Sequence, residues 1–288
     1  MTHAASVGFD AIGTRWTIDT ADPLDPELVR RVTARVEAFD ATYSRFRADS
    51  LVSQMGRRAG RHRFPDDAEP LLRLYRDLYE ATGGALTPLV GQVMEHLGYG
   101  PGYRLTRGPG VVTAPAWDDV LTVRGSVVVT RQPVVLDVGA AGKGYLVDRV
   151  AELLADGGVA DFVIDASGDL LHRGAAVERV GLEDPSDPTR IVGIANLANQ
   201  ALCASAANRR GWGDGLHHIV DPATGEPVHS VLASWATHPS CAVADGLATA
   251  LFLTEPDQLA RHFAFTYVRL LADGRAQLST NFDGELLS

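Results

Sequence analysis

Apolar residues recur at helical spacing through much of the first hundred positions, whereas short β-type runs crowd the chain after about residue 120. Strands and helices do not alternate regularly, so an α+β fold is expected rather than a doubly wound parallel sheet. A strand is expected over Val7 to Thr20. Asp25-Pro26-Glu27 then opens a helix with Leu28, Val32, Val36 and Phe39 on one stripe. Ser44 to Pro65 reads mostly as loop, with a turn of helix after Ser50. A second helix is expected from Asp66 to Ala81, stopped by Thr82-Gly83-Gly84, and Pro88 restarts a short one to about Leu97. The Gly/Pro-rich stretch from Gly98 to Pro115 is a candidate flexible loop.

The later pattern is β-rich. A hairpin is expected around Arg124-Gly125-Ser126, and a third apolar strand over Pro133 to Val138. A helix from Gly144 to Ala155 ends at Gly157-Gly158. Short strands are expected at Phe162 to Asp165, Leu170 to Leu171, Val192 to Leu197, Ala201 to Ala204 and His218 to Val220. Two helices, Ala244 to Leu253 and Pro256 to Phe265, and a hairpin around Asp273-Gly274 complete the chain.

Composition narrows the function classes. With 26 basic against 36 acidic residues the formal net charge is -10, which argues against an open nucleic-acid surface. No apolar run approaches the roughly 20 residues of a transmembrane helix. Met1 to Phe9 shows neither an export signal nor a lipidation cysteine, so a cytoplasmic location is the expectation. Cys203 and Cys241 cannot build a disulfide framework or a four-thiolate zinc site; two buried thiols are the favoured reading, with one bridge between them as the alternative.

Every basic side chain except Lys143 is arginine. A position that keeps lysine against that bias suggests a need for a compact ammonium. It lies in Leu136-Asp137-Val138-Gly139-Ala140-Ala141-Gly142-Lys143-Gly144-Tyr145, where a strand is expected to end and a helix to begin. Free N–H groups at a helix start beside a lysine suit phosphate. The spacing matches neither a P-loop nor a dinucleotide fingerprint. A plain glycine turn explains the residues equally well.

Two further stretches carry candidate chemistry. His218, at a strand start with Asp221 nearby, has the makings of a general base, or of a satisfied structural histidine. Asp245 and Thr249, i and i+4 at the start of a helix, share one face. They suit Mg²⁺, which takes one or two carboxylates and completes its octahedron with water and substrate phosphate. By itself Asp245 reads more simply as an aspartate favoured by the helix dipole.

Taken together and in order, these stretches resemble the FAD:protein FMN transferases, the ApbE family, over most of the chain. Phe9-Asp10-Ala11-Ile12-Gly13-Thr14-Arg15-Trp16 is similar to that family's opening Met-Gly-Thr-x-Trp element, and Arg45-Phe46-Arg47-Ala48-Asp49-Ser50 to its serine-rich aromatic loop. Leu136 to Asp148 resembles its Leu-Asp-x-Gly-x-x-x-Lys-Gly-Tyr-x-x-Asp signature. Ala166-Ser167-Gly168-Asp169 stands at its Gly-Gly-Asp. His218-Ile219-Val220-Asp221-Pro222-x-Thr224-Gly225-x-Pro227 and Ala244-Asp245-x-x-x-Thr249 copy two more of its motifs.

The resemblance implies a single domain over residues 1–288, with helices packed on a mixed or antiparallel sheet. It implies FAD as substrate, Mg²⁺, and transfer of FMN to a threonine of an acceptor protein with release of AMP. Ala140, Asp245 and Thr249 fall at metal positions, with Asp245 and His218 catalytic and His218 the base. Ile12, Phe46, Leu86, Thr87, Asp137, Lys143 and His218 fall at cofactor-facing positions. Trp16 and Tyr145 are further candidates for ring walls.

Three departures stand out. Leu86-Thr87-Pro88 replaces the family's Phe-Asp-Pro, removing a carboxylate that faces the cofactor. Ser167-Gly168 replaces a glycine pair, and Ala204-Ser205-Ala206 replaces Thr-Ser-Gly. Relaxed geometry at Thr87 and Ala206 motivates one alternative, a pyrophosphatase that cleaves FAD to FMN and AMP; a flavin-binding or carrier protein without turnover is a third reading of a different class.

Overall fold

The computed structural model describes residues 4–213 and 215–287; of the N-terminal stretch read for an export signal, Met1 to His3 lie outside the described residues. The chain opens as a hairpin, β1 (Ala5–Ala11) and β2 (Thr14–Thr20), rather than the single strand expected over Val7 to Thr20. The break falls at Ile12 and Gly13, whose φ values are +43° and +79°. Two left-handed residues make the tight turn that matches strand twist, normally marked by Asn-Gly. A β-branched isoleucine gives no such mark, because its side chain opposes that backbone conformation.

Helix α1 (Pro26–Tyr43) starts where expected: the Asp25 carboxylate accepts from the Glu27 N–H and Pro26 fixes the first turn. The Ser50 hydroxyl likewise caps α2 (Leu51–Arg57) by accepting from Ser53 N. The 44–65 stretch is less loop-like than expected, since it also holds β3 (Gly60–Arg63). Gly-Arg-His-Arg carries no apolar alternation; its strand exists through pairing with the later β5. Helix α3 (Glu69–Ala81) follows a 3₁₀ turn, and α4 (Gly91–His96) follows another over Pro88–Val90. No described residue of 98–115 is in a helix or strand. A short α5 (Trp117–Val120) precedes the expected hairpin of β4 (Leu121–Arg124) and β5 (Val127–Thr130).

Pro133 to Val138 corrects the expectation of a third strand there. The segment runs without sheet pairing, its N–H groups taken singly: Val134 donates to Met55 O and Asp137 to Pro88 O. Helix α6 (Gly142–Asp156) follows, then β6 (Phe162–Asp165), β7 (Asp169–Arg173), β8 (Glu178–Asp184), β9 (Asp187–Leu197) and β10 (Ala201–Ala206). His218 does not start a strand, as expected, but joins β12 (Leu216–His217) to β13 (Val220–Asp221); β11 (Gly211–Trp212) pairs β12, and β14 (Glu226–Pro227) pairs β13. An unanticipated strand, β15 (Val231–His238), runs into α7 (Cys241–Leu253). The helix expected over Pro256 to Phe265 is only α8 (Pro256–Leu259). Phe263 and Phe265 instead pack on the core as the chain enters β16 (Thr266–Leu271); β17 (Ala276–Leu278) and β18 (Gly284–Leu286) follow.

Among the described residues, β1-β2-β6-β7-β10-β15-β16-β17 form one sheet, antiparallel at every pairing. Alternation sends Ile164, Leu171, Cys203 and Ala236 to one face, into the main core under α1, α3, α6 and α7. Leu202, Ala233, Trp235 and Val268 point to the other, where Leu182, Ala195 and Leu197 from the β18-β9-β8 sheet cover them. The result is the α+β arrangement of helices on an antiparallel sheet. No described helix is long and apolar enough to cross a membrane.

Helices α6 and α7 cap each other. The Asp148 carboxylate on α6 accepts from Ser240 Oγ (2.7 Å), Cys241 N (2.8 Å) and Ala242 N (3.0 Å) at the start of α7. Asp245 Oδ2 on α7 accepts from Gly144 N (2.9 Å) in the first turn of α6. Gly144 permits the approach: a Cβ there would sit 2.3 Å from Cys241 O and 2.8 Å from Asp245 Cβ. This crossing fixes the floor of the cavity described next.

Candidate active site

A cavity of about 490 Å³ opens where the α6 start, α7, the β6–β7 turn and the 3₁₀ turn after β10 converge. It lies in the usual range for small-molecule sites. Leu86, Thr87, Asp137, Ala140, Lys143, His218, Asp245 and Thr249 all line it, although they span most of the chain. Ile12 and Phe46, also expected at the cofactor, are not among the residues that line this cavity. Ile12 forms the hairpin turn and packs on the core, while its neighbours Gly13 and Thr14 line the cavity. Phe46 stacks on Tyr103, centroids 5.2 Å apart, beneath the Arg45 guanidinium; Tyr99 is the aromatic that reaches the cavity wall. Trp16 and Tyr145, offered as ring walls, are buried in the core.

Asp137 is held by Arg45, whose Nε lies 2.6 Å from Oδ2, and by Gly139 N donating at 2.7 Å. Burial pushes its carboxyl up, but the guanidinium and the N–H more than offset this and keep it below the usual range. Arg45 is itself almost fully buried and also donates to Tyr99 O at 2.6 Å. Its place in Arg45-Phe46-Arg47 was visible in the sequence, its pairing with Asp137 was not.

His218 keeps a buried Nδ1 with no hydrogen-bond partner. Burial, reinforced by the nearby Arg210 charge, lowers the imidazole to about 3, so it is neutral at physiological pH. Asp221 is not its carboxylate neighbour: it caps its own turn, accepting from Ala223 N at 2.8 Å. The charge acting on His218 from the acidic side is that of Asp137.

Below them lies a buried group that the sequence did not connect. Asp169, fully buried, pairs through Oδ2 with Lys143 Nζ at 2.9 Å. It also faces Asp245, whose carboxyl burial and then the Asp169 charge push well above the usual range. Two buried carboxyls share one ammonium, so Asp245 is driven to hold a proton, and a bound cation can take that proton's place. Thr249 Oγ1 is nearby, 3.2 Å from Ser205 Oγ. No cluster of three or more His, Cys, Asp or Glu side chains suits a metal among the described residues. Asp245, Thr249 and Ala140 line the same cavity, and one carboxylate with one hydroxyl is a donor set that can hold a hard ion completed by water or phosphate. Cys203 and Cys241 are free, buried thiols, 3.5 Å apart.

Known proteins match this chain along nearly its whole length. The ApbE family model matches residues 12–268. An FAD:protein FMN transferase of Klebsiella pneumoniae is 24% identical over 271 residues, covering 86% of this chain and 77% of that protein. Another from Vibrio cholerae is 28% identical over 239 residues, 76% of this chain and 70% of that one. The solved flavin transferase ApbE of Vibrio cholerae superposes with a TM-score of 0.81 at 23% identity, covering 96% of this chain and 98% of that one. The ApbE protein of Thermotoga maritima gives 0.85 at 21%, covering 96% and 97%.

Proposed function

This chain belongs to the ApbE family, and from that premise we propose that it transfers FMN from FAD to a threonine of an acceptor protein, releasing AMP. Residues 1–288 act as one catalytic unit. The observation that carries the reading is the convergence of His218, Asp137, Asp245 and Thr249 on one cavity of about 490 Å³.

In this reading the threonine oxygen attacks the FMN-side phosphorus while the bond to the bridging oxygen breaks. The electron pair leaves with AMP, and the threonine proton passes to His218. A hydroxyl is a weak nucleophile at neutral pH and gains from a group that takes its proton; the neutral His218 imidazole is free to accept it, with its basicity reduced by the same burial. Burial of His218 keeps it in the accepting form. Asp137, fixed by Arg45, is a rigid anionic acceptor for the donor groups of the flavin nucleotide. Mg²⁺ held by Asp245, Thr249 and Ala140 would supply positive charge beside the diphosphate. Thr87, which stands at the aspartate of the Phe-Asp-Pro pattern that the resemblance implies, uses its hydroxyl to accept from Leu89 N at 3.2 Å, so it caps a turn instead of offering a charge.

The test is incubation with FAD, Mg²⁺ and a threonine-bearing acceptor. Protein-bound flavin and AMP in equal amounts are expected. FMN and AMP formed equally fast without acceptor would make the protein a pyrophosphatase, and FAD binding without turnover would make it a carrier; either result overturns the proposal.

A further inference from the structure

FAD brings two negative charges on its diphosphate, and cleavage adds another on AMP, so the cavity needs cations that are free to meet them. Three basic side chains line it: Lys143, Arg209 and Arg210. Lys143 is already engaged. Its ammonium donates to Ala166 O at 3.0 Å and to Ser167 O at 3.4 Å, and it forms an ion pair with Asp169 Oδ2 at 2.9 Å. Its charge is matched by a buried carboxylate. The lysine thus ties the start of α6 to the β6–β7 turn and holds Asp169 against Asp245. Arg209 points outward, largely exposed and 2.8 Å from Glu183. Arg45 is spent on Asp137 and Tyr99 O and does not line the cavity.

Arg210 remains. It ends the 3₁₀ turn Ala207–Arg210 that follows β10, half-buried on the cavity wall; its backbone hydrogen-bonds the His218 ring, while its guanidinium has no ion pair or hydrogen bond among the described residues. We propose that Arg210, and not Lys143, is the side chain that grips the diphosphate of FAD, while Lys143 positions Asp169 against Asp245. This rests on the FAD reading above. A planar guanidinium matches two phosphate oxygens at once, which a spent ammonium cannot. Its charge also acts on both Asp137 and His218. It therefore sits beside the base, where the transferred phosphorus must lie.

The experiment compares equilibrium binding of FAD and of riboflavin, which has the ring but no phosphate, to the wild-type chain, Arg210→Ala and Arg210→Lys. Arg210→Ala should lose roughly 10- to 100-fold in FAD affinity, as expected for a charged hydrogen-bonded contact, and keep riboflavin affinity. Arg210→Lys should fall between, because it keeps the charge and loses the fork. Unchanged FAD affinity in Arg210→Ala overturns the assignment, and so does an equal loss for riboflavin, which would mark a structural role. If FAD affinity follows Arg210 but the wild-type protein transfers no FMN, the transferase reading falls and the diphosphate contact stands. A wild-type protein that does not bind FAD removes both.

Discussion

His218 titrates far below an ordinary histidine, and this has two consequences of opposite visibility. Catalysis by a base that is neutral down to about pH 3 should show no acid limb near pH 6.5 in kcat/KM, which reports the free enzyme. A limb centred there that disappears in His218→Asn would contradict the burial argument. His218→Asn itself should slow transfer about 10²- to 10⁴-fold with FAD still bound. Stability responds too. The folded value is depressed, so the contribution is fully present above the unfolded value near 6.5 and drains away as pH falls toward 3. Urea midpoints measured from pH 7 to 4 should fall less in His218→Asn than in the wild type. Asp245 separates metal from helix-dipole roles in a similar way. It is the fifth residue of α7, whose start is already capped by Ser240 and Asp148, and dipole effects fade beyond the first turn. Asp245→Asn should therefore unfold at an unchanged or higher temperature without metal, since it removes one of two repelling carboxylates. AMP release should need far more magnesium, or fail. Normal magnesium dependence in the variant would remove Asp245 from the metal site.

At the scale of elements, the sequence exposed what carries its own signal and hid what depends on a partner. Helices α1 and α3 were legible because a capping or proline start and an apolar stripe lie within the segment. The α6 and α7 starts, with Asp137, Ala140, Asp245 and Thr249 upon them, were legible through local motifs. Strand β15 was not: Val-Leu-Ala-Ser-Trp-Ala-Thr-His is buried on both faces and alternates weakly. β3 is a strand only through β5, and the Ile12 turn lacks turn chemistry. Asp169 was legible only as part of a turn motif and Arg210 was not singled out, since what faces each of them comes from distant parts of the chain. The mutual capping of α6 and α7 is such a long-range relation and can be tested. Asp148→Ala leaves Cys241 N, Ala242 N and Ser240 Oγ without their acceptor. A loss of about 2 kcal/mol is expected, with a smaller one in Asp148→Asn, which keeps one carbonyl acceptor. Equal stability of all three proteins in urea would mean that solvent replaces the cap.

At the scale of the molecule, two apolar clusters share one sheet. β10 sends Cys203 to the helical core and Leu202 to the cluster under the β18-β9-β8 sheet; β15 divides Ala236 and Trp235 in the same way. Ser234 Oγ on β15 also donates to Ala248 O in α7 at 2.6 Å, one turn from Asp245. Melting either layer strips a wall from the other, so the chain should unfold in one cooperative transition. Trp235 tests this because it is 4% exposed, lies in the smaller cluster and does not line the cavity. Truncation to Ala removes a large buried side chain, a loss of roughly 3–5 kcal/mol. If the layers are coupled, Trp235→Ala lowers the helical circular-dichroism midpoint and the temperature at which bound FAD is released together. FAD and Mg²⁺ at about a hundredfold over Kd should restore roughly 2.7 kcal/mol in both proteins. Were the helical signal and FAD release to keep wild-type midpoints while a separate early transition appeared, the three-stranded layer would be an independent unit. The single-domain reading would then fail.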